Sequence, residues 1–399
     1  MVPDFSSSSA FIPENAEIRS IYTGLLFAPL NEVKNAPERI HVQTSSSTRV
    51  LFQIKEQNDH LYFLFTNEEE YKFPLYSSGS YIIKRSKIDG SFVQIKIFIR
   101  SDKDTFLRIF PYKDRSKMDV YLQGYPVYKN VNIPLSFNSL LFLPFSRIKD
   151  ATKSSINWDL IEAPEPDSGY NRIEKMIAEI RKSLPFLKDA DDGAIDWDGS
   201  YRYIKDLSLQ ENGGLNCSGF AKWIVDGIYY QSNREYLKIE DLKEKAYSLR
   251  GNSWNNRFED ERDPYFGLDW IRNLAASVHQ NTDYEGFDVR DVPFLTYIED
   301  VGYPVEYLKL ILYILAQKEA GNFYLGSVNK EYGSSPMLRQ HYHIVSFFPY
   351  FDSKGDFKVA IFERNKESYI DSFIKSHQND YIHLVRIEAP SEYHTGMMN

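Results

Sequence analysis

Cys217 is the only thiol in the 399-residue chain, and its surroundings suit a nucleophile. It lies in Gly213-Gly214-Leu215-Asn216-Cys217-Ser218-Gly219-Phe220-Ala221-Lys222-Trp223-Ile224-Val225, where a glycine pair ends what precedes and Asn216 is a natural N-cap. Phe220, Trp223, Ile224 and Ile228 recur at helical spacing, so the thiol falls in the first turn of a helix. There the positive end of the helix dipole and unpaired backbone N–H groups favour thiolate, the reactive form. The competing reading is a buried structural cysteine, because free Cys is among the most buried residue types.

Other elements must hold that thiol. A chain of this length is expected to form two domains. Residues 17–148 read as β-structure, with Arg49–Lys55, His60–Phe65, Phe92–Ile99, Phe106–Pro111 and Asp119–Leu122 as strands. Turn signals at Gln57-Asn58-Asp59, Ser77-Ser78-Gly79, Asp89-Gly90 and Ser101–Asp104 separate them, which predicts an all-β sandwich or barrel over 1–150, with an accessory or binding role. Residues 151–169 read as a linker, with Trp158 and Leu160 pinning its middle, and 170–399 as the second domain. Helical periodicity marks Tyr170–Leu184, Tyr236–Leu249, Tyr265–Gln280 and Val305–Glu319, punctuated by Gly251, Gly267, Gly302 and Gly321. Strands return at Asn322–Val328, His343–Phe348, Phe357–Phe362 and Ile382–Ile387. Strand parity places His341 and His343 on one face. The turn Asp352–Asp356 reflects residues 363–365 onto His343, and Glu363 and Asn365 share a face there.

Composition excludes several classes. A net charge of −9 without a long basic run argues against a nucleic-acid binder. One cysteine rules out a disulfide framework and a cysteine-rich zinc site. The apolar run Tyr307–Ala316 is too short to span a membrane and is interrupted by Lys309. Met1–Phe5 and the serines after it do not read as a signal peptide, so export would require a leader upstream. Five aspartates between Asp189 and Asp198 miss the EF-hand order and read as a solvated loop. His41 and His60 lack partners at ligand spacing, His279 suits a helix C-terminus, and no nucleotide-binding glycine motif is present. No metal or cofactor is expected.

Leu-Asn-Cys-Ser-Gly-Phe followed by an amphipathic helix resembles the Asp-Cys-Ser-Gly-Phe signature of the NlpC/P60 cysteine peptidases, with Asn216 where that family usually has Asp. The resemblance covers roughly residues 170–390 and implies an α+β, papain-like catalytic domain, here with a long helical insertion after the cysteine. His343-Ile344-Val345 resembles the family's base-bearing strand, which implies His343 as general base with His341 as its rival. The third member, a polar residue on the next strand, would be Glu363, or Asn365 in its place. Tyr201 matches the first Tyr of the family's Tyr-x-Tyr-Gly-Gly-like element and, with Ser218, would line the oxyanion and substrate region. The implied activity is hydrolysis of peptidoglycan stem peptides through an acyl-enzyme, in the cell envelope, periplasm or outside a bacterial cell. A transglutaminase-like acyl transfer with the same triad and a catalytically inactive wall-binding protein are the two other functions considered.

Overall fold

A computed structural model describes residues 12–162, 164–246, 265–279, 284–335 and 337–395. Met1–Phe5, Gly251 and the ends of the helices expected to reach Leu249 and Gln280 lie outside the described residues. The chain divides into two compact units. One runs to Glu165 and includes Ser353–Asp356; the other holds the remainder.

The first unit begins with three short helices, α1 (Ala16–Ile21), α2 (Thr23–Phe27) and α3 (Leu30–Val33). Eight strands follow: β1 (Arg39–Val42), β2 (Arg49–Gln57), β3 (His60–Asn67), β4 (Tyr81–Ser86), β5 (Phe92–Phe98), β6 (Phe106–Tyr112), β7 (Arg115–Leu122) and β8 (Tyr125–Ile133). All pair antiparallel in sequence order. Helices α4 (Phe137–Leu140) and α5 (Phe145–Thr152) come next. Trp158 then packs edge-on against Phe145 and its Nε1–H donates to Thr152 Oγ1, which orders part of the expected linker.

The sandwich-or-barrel expectation is corrected here. Among the described residues no β1–β8 pairing closes this sheet and no second sheet of the unit faces it. Alternation in β2 to β7 reports one buried face, carrying Phe52, Phe63, Ile83, Ile95, Ile109 and Met118, but not what buries it. Short helices are tied there instead: buried Arg19 donates to the carbonyls of Leu141 and Leu143, and Arg85 to those of Leu26 and Ala28. Helices of four to eight residues leave too little sequence for a 3.6-residue period to register.

The second unit opens with α6 (Ser168–Ser183), capped by the Asp167 carboxylate, which accepts from Gly169 N–H. The hairpin β9 (Ala194–Ile195) and β10 (Tyr201–Arg202) leads to α7 (Cys217–Asn233), then α8 (Ile239–Leu242), α9 (Phe266–Val278) and α10 (Tyr284–Phe287). After β11 (Tyr303–Pro304) and α11 (Leu308–Lys318) come β12 (Asn322–Tyr332), β13 (Leu338–Phe351), β14 (Phe357–Glu363), β15 (Lys366–Ser368), α12 (Ile370–Ser376) and β16 (Tyr381–Glu388). The sheet runs β11-β16-β12-β13-β14-β15, antiparallel throughout. Phe220 and Ile224 of α7, Trp270 and Leu274 of α9, and Phe323, Ile344 and Phe362 of the sheet share one core.

The papain-like α+β class is likewise corrected. Antiparallel sheets of eight and six strands dominate the two units. Local periodicity places strands after a helix but carries no information on strand order. The last strand, β16, inserts between β11 and β12, a non-local pairing that no single segment encodes.

Candidate active site

The thiol sits where the loop enters α7. Asn216 is extended, and its side-chain oxygen accepts from Gly219 N–H at 2.8 Å, so the first turn is capped and Cys217 is its first residue. Gly219 is obligatory: a Cβ there would stand 2.0 Å from the Gly193 carbonyl oxygen, which itself accepts from Asn216 N–H at 3.1 Å. The acidic loop is thus structural. Asp192 accepts from Ile204 and Lys205 N–H, Asp196 from Ile239 N–H, and Asp198 from Ser200 and Arg202. On the far side, the Trp270 indole N–H donates to the Ser218 carbonyl at 2.9 Å, tying this turn to α9.

β13 brings the imidazole. The half-buried Cys217 side chain is hydrogen-bonded to His343, to the Ile344 backbone N–H and to the Ser218 hydroxyl. On its other edge, His343 Nε2 is 2.8 Å from Glu363 Oε2 at the end of β14, which leaves Nδ1 to face the sulfur. Ser368 on β15 hydrogen-bonds the same carboxylate. These three side chains form one line, thiol to imidazole to carboxylate.

The electrostatics follow from that line. Burial pushes the thiol up, but the His343 bond and charge more than offset it, leaving Cys217 below its usual value. Burial alone would lower His343, yet its bonds to Cys217 and Glu363 raise it to about 9. Glu363, raised by burial, is held below the usual carboxylate range by His343 and Ser368. Both shifts run in the direction that favours a thiolate–imidazolium pair backed by a carboxylate.

The remaining sequence-derived residues lie elsewhere or act differently. His341 does not join His343. A bulge between Val328 and Asn329 of β12 puts one extra β13 residue between their partners, which cancels the expected parity. The His341 ring is buried, held by Ser327 Oγ at 2.9 Å and the Asp300 carbonyl at 2.9 Å. Asn365 is also corrected: Glu363 pairs with Lys366, so Arg364 and Asn365 form the hairpin turn, with Arg364 at φ 54°. Asn365 Nδ2 donates to the Leu187 carbonyl instead. The Tyr201 ring lies against Gly213, upstream of Cys217, where a Cβ would approach it to 3.2 Å, and burial raises its hydroxyl pKa.

Sequence reasoning missed a second imidazole. His377, just past α12, stacks on His343 at a centroid distance of 5.9 Å. Its Nδ1 is 2.9 Å from Tyr342 Oη and 3.2 Å from Asp380 Oδ2, while the Tyr342 hydroxyl donates to Asp380 at 2.6 Å. His377 and Asp380, three apart at the end of a short helix, were the signal in the sequence. One ring nitrogen each from His343 and His377 and one oxygen of Glu363 lie within 4.8 Å of one another.

Comparison with known proteins adds a domain, not an activity. A family described as a domain of unknown function (DUF8515) matches residues 8–160, within the first unit. No curated protein and no solved structure matches the chain. Among the described residues no helix is long and apolar enough to cross a membrane.

Proposed function

We propose that this protein is a cysteine hydrolase that cleaves a peptide bond through a thioester acyl-enzyme. The observation that carries the reading is the bonded line Cys217–His343–Glu363, with the sulfur at a helix N-terminus. The Cys217 thiolate attacks the scissile carbonyl carbon. The oxyanion that forms takes a hydrogen bond from the Cys217 N–H, a first-turn donor with no intrahelical acceptor, and such a donor is worth up to about 3 to 4 kcal/mol. His343 gives its proton to the leaving amine, then takes one from the water that hydrolyses the thioester. Glu363 keeps the ring oriented and stabilises its cationic form.

The NlpC/P60-like signature around Cys217 favours a bacterial cell-wall stem peptide as substrate and the cell envelope as the place of action. The test is release of soluble muropeptides from purified peptidoglycan by the full chain and by Cys217→Ser. Loss of turnover in the variant is expected. A variant as active as the parent would falsify the assignment, and an inert parent would favour a wall-binding role. Amide products on adding an amine acceptor would redirect the reading to acyl transfer.

A further inference from the structure

His377 has no place in that mechanism, yet it is built into the same site with care. Its Nδ1 is engaged by Asp380 and Tyr342, and among the described residues no hydrogen bond occupies its Nε2. A carboxylate on the far nitrogen of a histidine is the usual support of a metal-bound imidazole, because it fixes the tautomer and raises basicity. Glu363 has equivalent support from Ser368. The three side chains are 18%, 15% and 16% exposed for His343, Glu363 and His377, open enough for an ion to reach yet mostly held.

We propose that His343, Glu363 and His377 bind a single divalent transition-metal ion of the zinc class. Two imidazoles and a carboxylate are a zinc-type donor set, whereas magnesium and calcium prefer all-oxygen shells. Bonds of about 2.1 Å at a tetrahedral centre place donor atoms about 3.4 Å apart. The 2.8 Å contact between His343 and Glu363 must therefore open by about 0.6 Å, and His377 must close by no more than about 1.4 Å from the 4.8 Å limit. Side-chain rotation supplies movements of that size. Exposed Lys366, across the hairpin from Glu363, is a nearby cation that opposes the ion.

The consequence rests on the hydrolase reading. The ion replaces the His343 Nε2 proton, which leaves to solvent, and the neutral ring keeps its remaining proton on Nδ1, facing Cys217. That ring can neither accept the thiol proton nor deliver one to the leaving amine, so the bound ion switches turnover off.

Equilibrium dialysis of the full chain against Zn²⁺, and separately Mg²⁺, decides the site. One Zn²⁺ per chain is expected, at least tenfold weaker in His377→Gln and in Asp380→Asn, retained in Cys217→Ser, with Mg²⁺ ineffective. Far-UV circular dichroism confirms that each variant is folded, and Co²⁺ absorption without a thiolate charge-transfer band confirms nitrogen and oxygen ligation. No bound Zn²⁺, equal binding in folded His377→Gln, or binding that disappears only in Cys217→Ser would overturn the site. Turnover separates the two ideas. Peptide hydrolysis that survives saturating Zn²⁺, or that requires it, overturns the switch alone. A chain that holds the ion but hydrolyses nothing with chelator present overturns the hydrolase reading and the switch together, and leaves the site standing.

Discussion

Replacing Glu363 by Gln tests the line of three side chains most directly. Gln keeps an acceptor oxygen for His343 Nε2 but removes the charge that the 2.8 Å bond now carries. A hydrogen bond to a charged group contributes about 1.5–3 kcal/mol, roughly twice a neutral one, so the substitution removes about 1–1.5 kcal/mol of preference for imidazolium. At 1.36 kcal/mol per pH unit, that lowers the pKa of the ring by about one unit. The parent His343 titrates at about 9, so the alkaline limb of Cys217 alkylation by iodoacetamide falls at about 9 and moves to about 8 in Glu363→Gln. Because thiol and ring are coupled, both limbs belong to the pair, and the thiolate limb shifts upward as the ring charge is weakened. The measurement is the second-order alkylation rate across pH with a chelator present, alongside Asn365→Ala as a control that leaves both limbs in place. A folded Glu363→Gln protein with an unmoved alkaline limb would refute the reasoning, because the carboxylate would then not act on the ring.

The other expectations concern the cap and a buried network away from the site. Asn216→Ala removes the acceptor for Gly219 N–H and costs about 1 kcal/mol in urea unfolding, whereas Asn216→Asp keeps the cap but sets a negative charge beside the sulfur. Alkylation at neutral pH therefore slows in Asn216→Asp while its unfolding midpoint holds; unchanged alkylation would show that the cap is electrostatically remote from the thiol. Buried Asp288 accepts from Arg272 Nη2 at 2.7 Å and lies 2.9 Å from His383 Nε2. Burial raises Asp288, but its bonds to His383 and Arg272 hold it well below the carboxylate range; burial lowers His383 despite that carboxylate. Both folded-state values are depressed, so both contributions are present above the unfolded values and fade as pH falls, from about 6.5 for the histidine and about 3.9 for the aspartate. Urea stability should decline stepwise as pH drops through those values, with His383→Gln flattening the upper step. Stability that is level or rising on acidification excludes the network as its source.

Element types were legible where one segment carries its own period. The stripe Ile173, Met176, Ile177 and Ile180 gives α6, and the four strand runs in 322–387 give β12, β13, β14 and β16, though not the short β15. The proximity of Glu363 to His343 was legible for a similar reason, since the chain reverses at Asp352–Asp356 and β13 pairs with β14 about that reversal. Parity then fails at two points. An extra residue opposite Val328/Asn329 turns His341 away, and the Arg364–Asn365 turn takes Asn365 out of the strand. One is a single extra residue and the other a two-residue turn, and a pattern of hydrophobic residues registers neither, because Tyr342, Arg364 and Asn365 are not among the buried apolar positions.

That blindness has a direction. A candidate residue found by counting along a strand is trustworthy only as far as the nearest bulge or turn, and active-site strands are where bulges concentrate. His343 and Glu363 are each next to such a departure, Tyr342 being the residue before the first and Arg364 the residue after the second. The β13–β14 register runs from Ser346 to Phe351 and stops short of His343, and β14 itself ends at Glu363, where the Arg364–Asn365 turn begins. Beyond the end of that ladder, the Ile344 N–H bonds the Cys217 sulfur. The turn that takes Asn365 out of the strand thus also fixes where β14 stops, and it leaves Glu363 as the strand's last residue, beside His343.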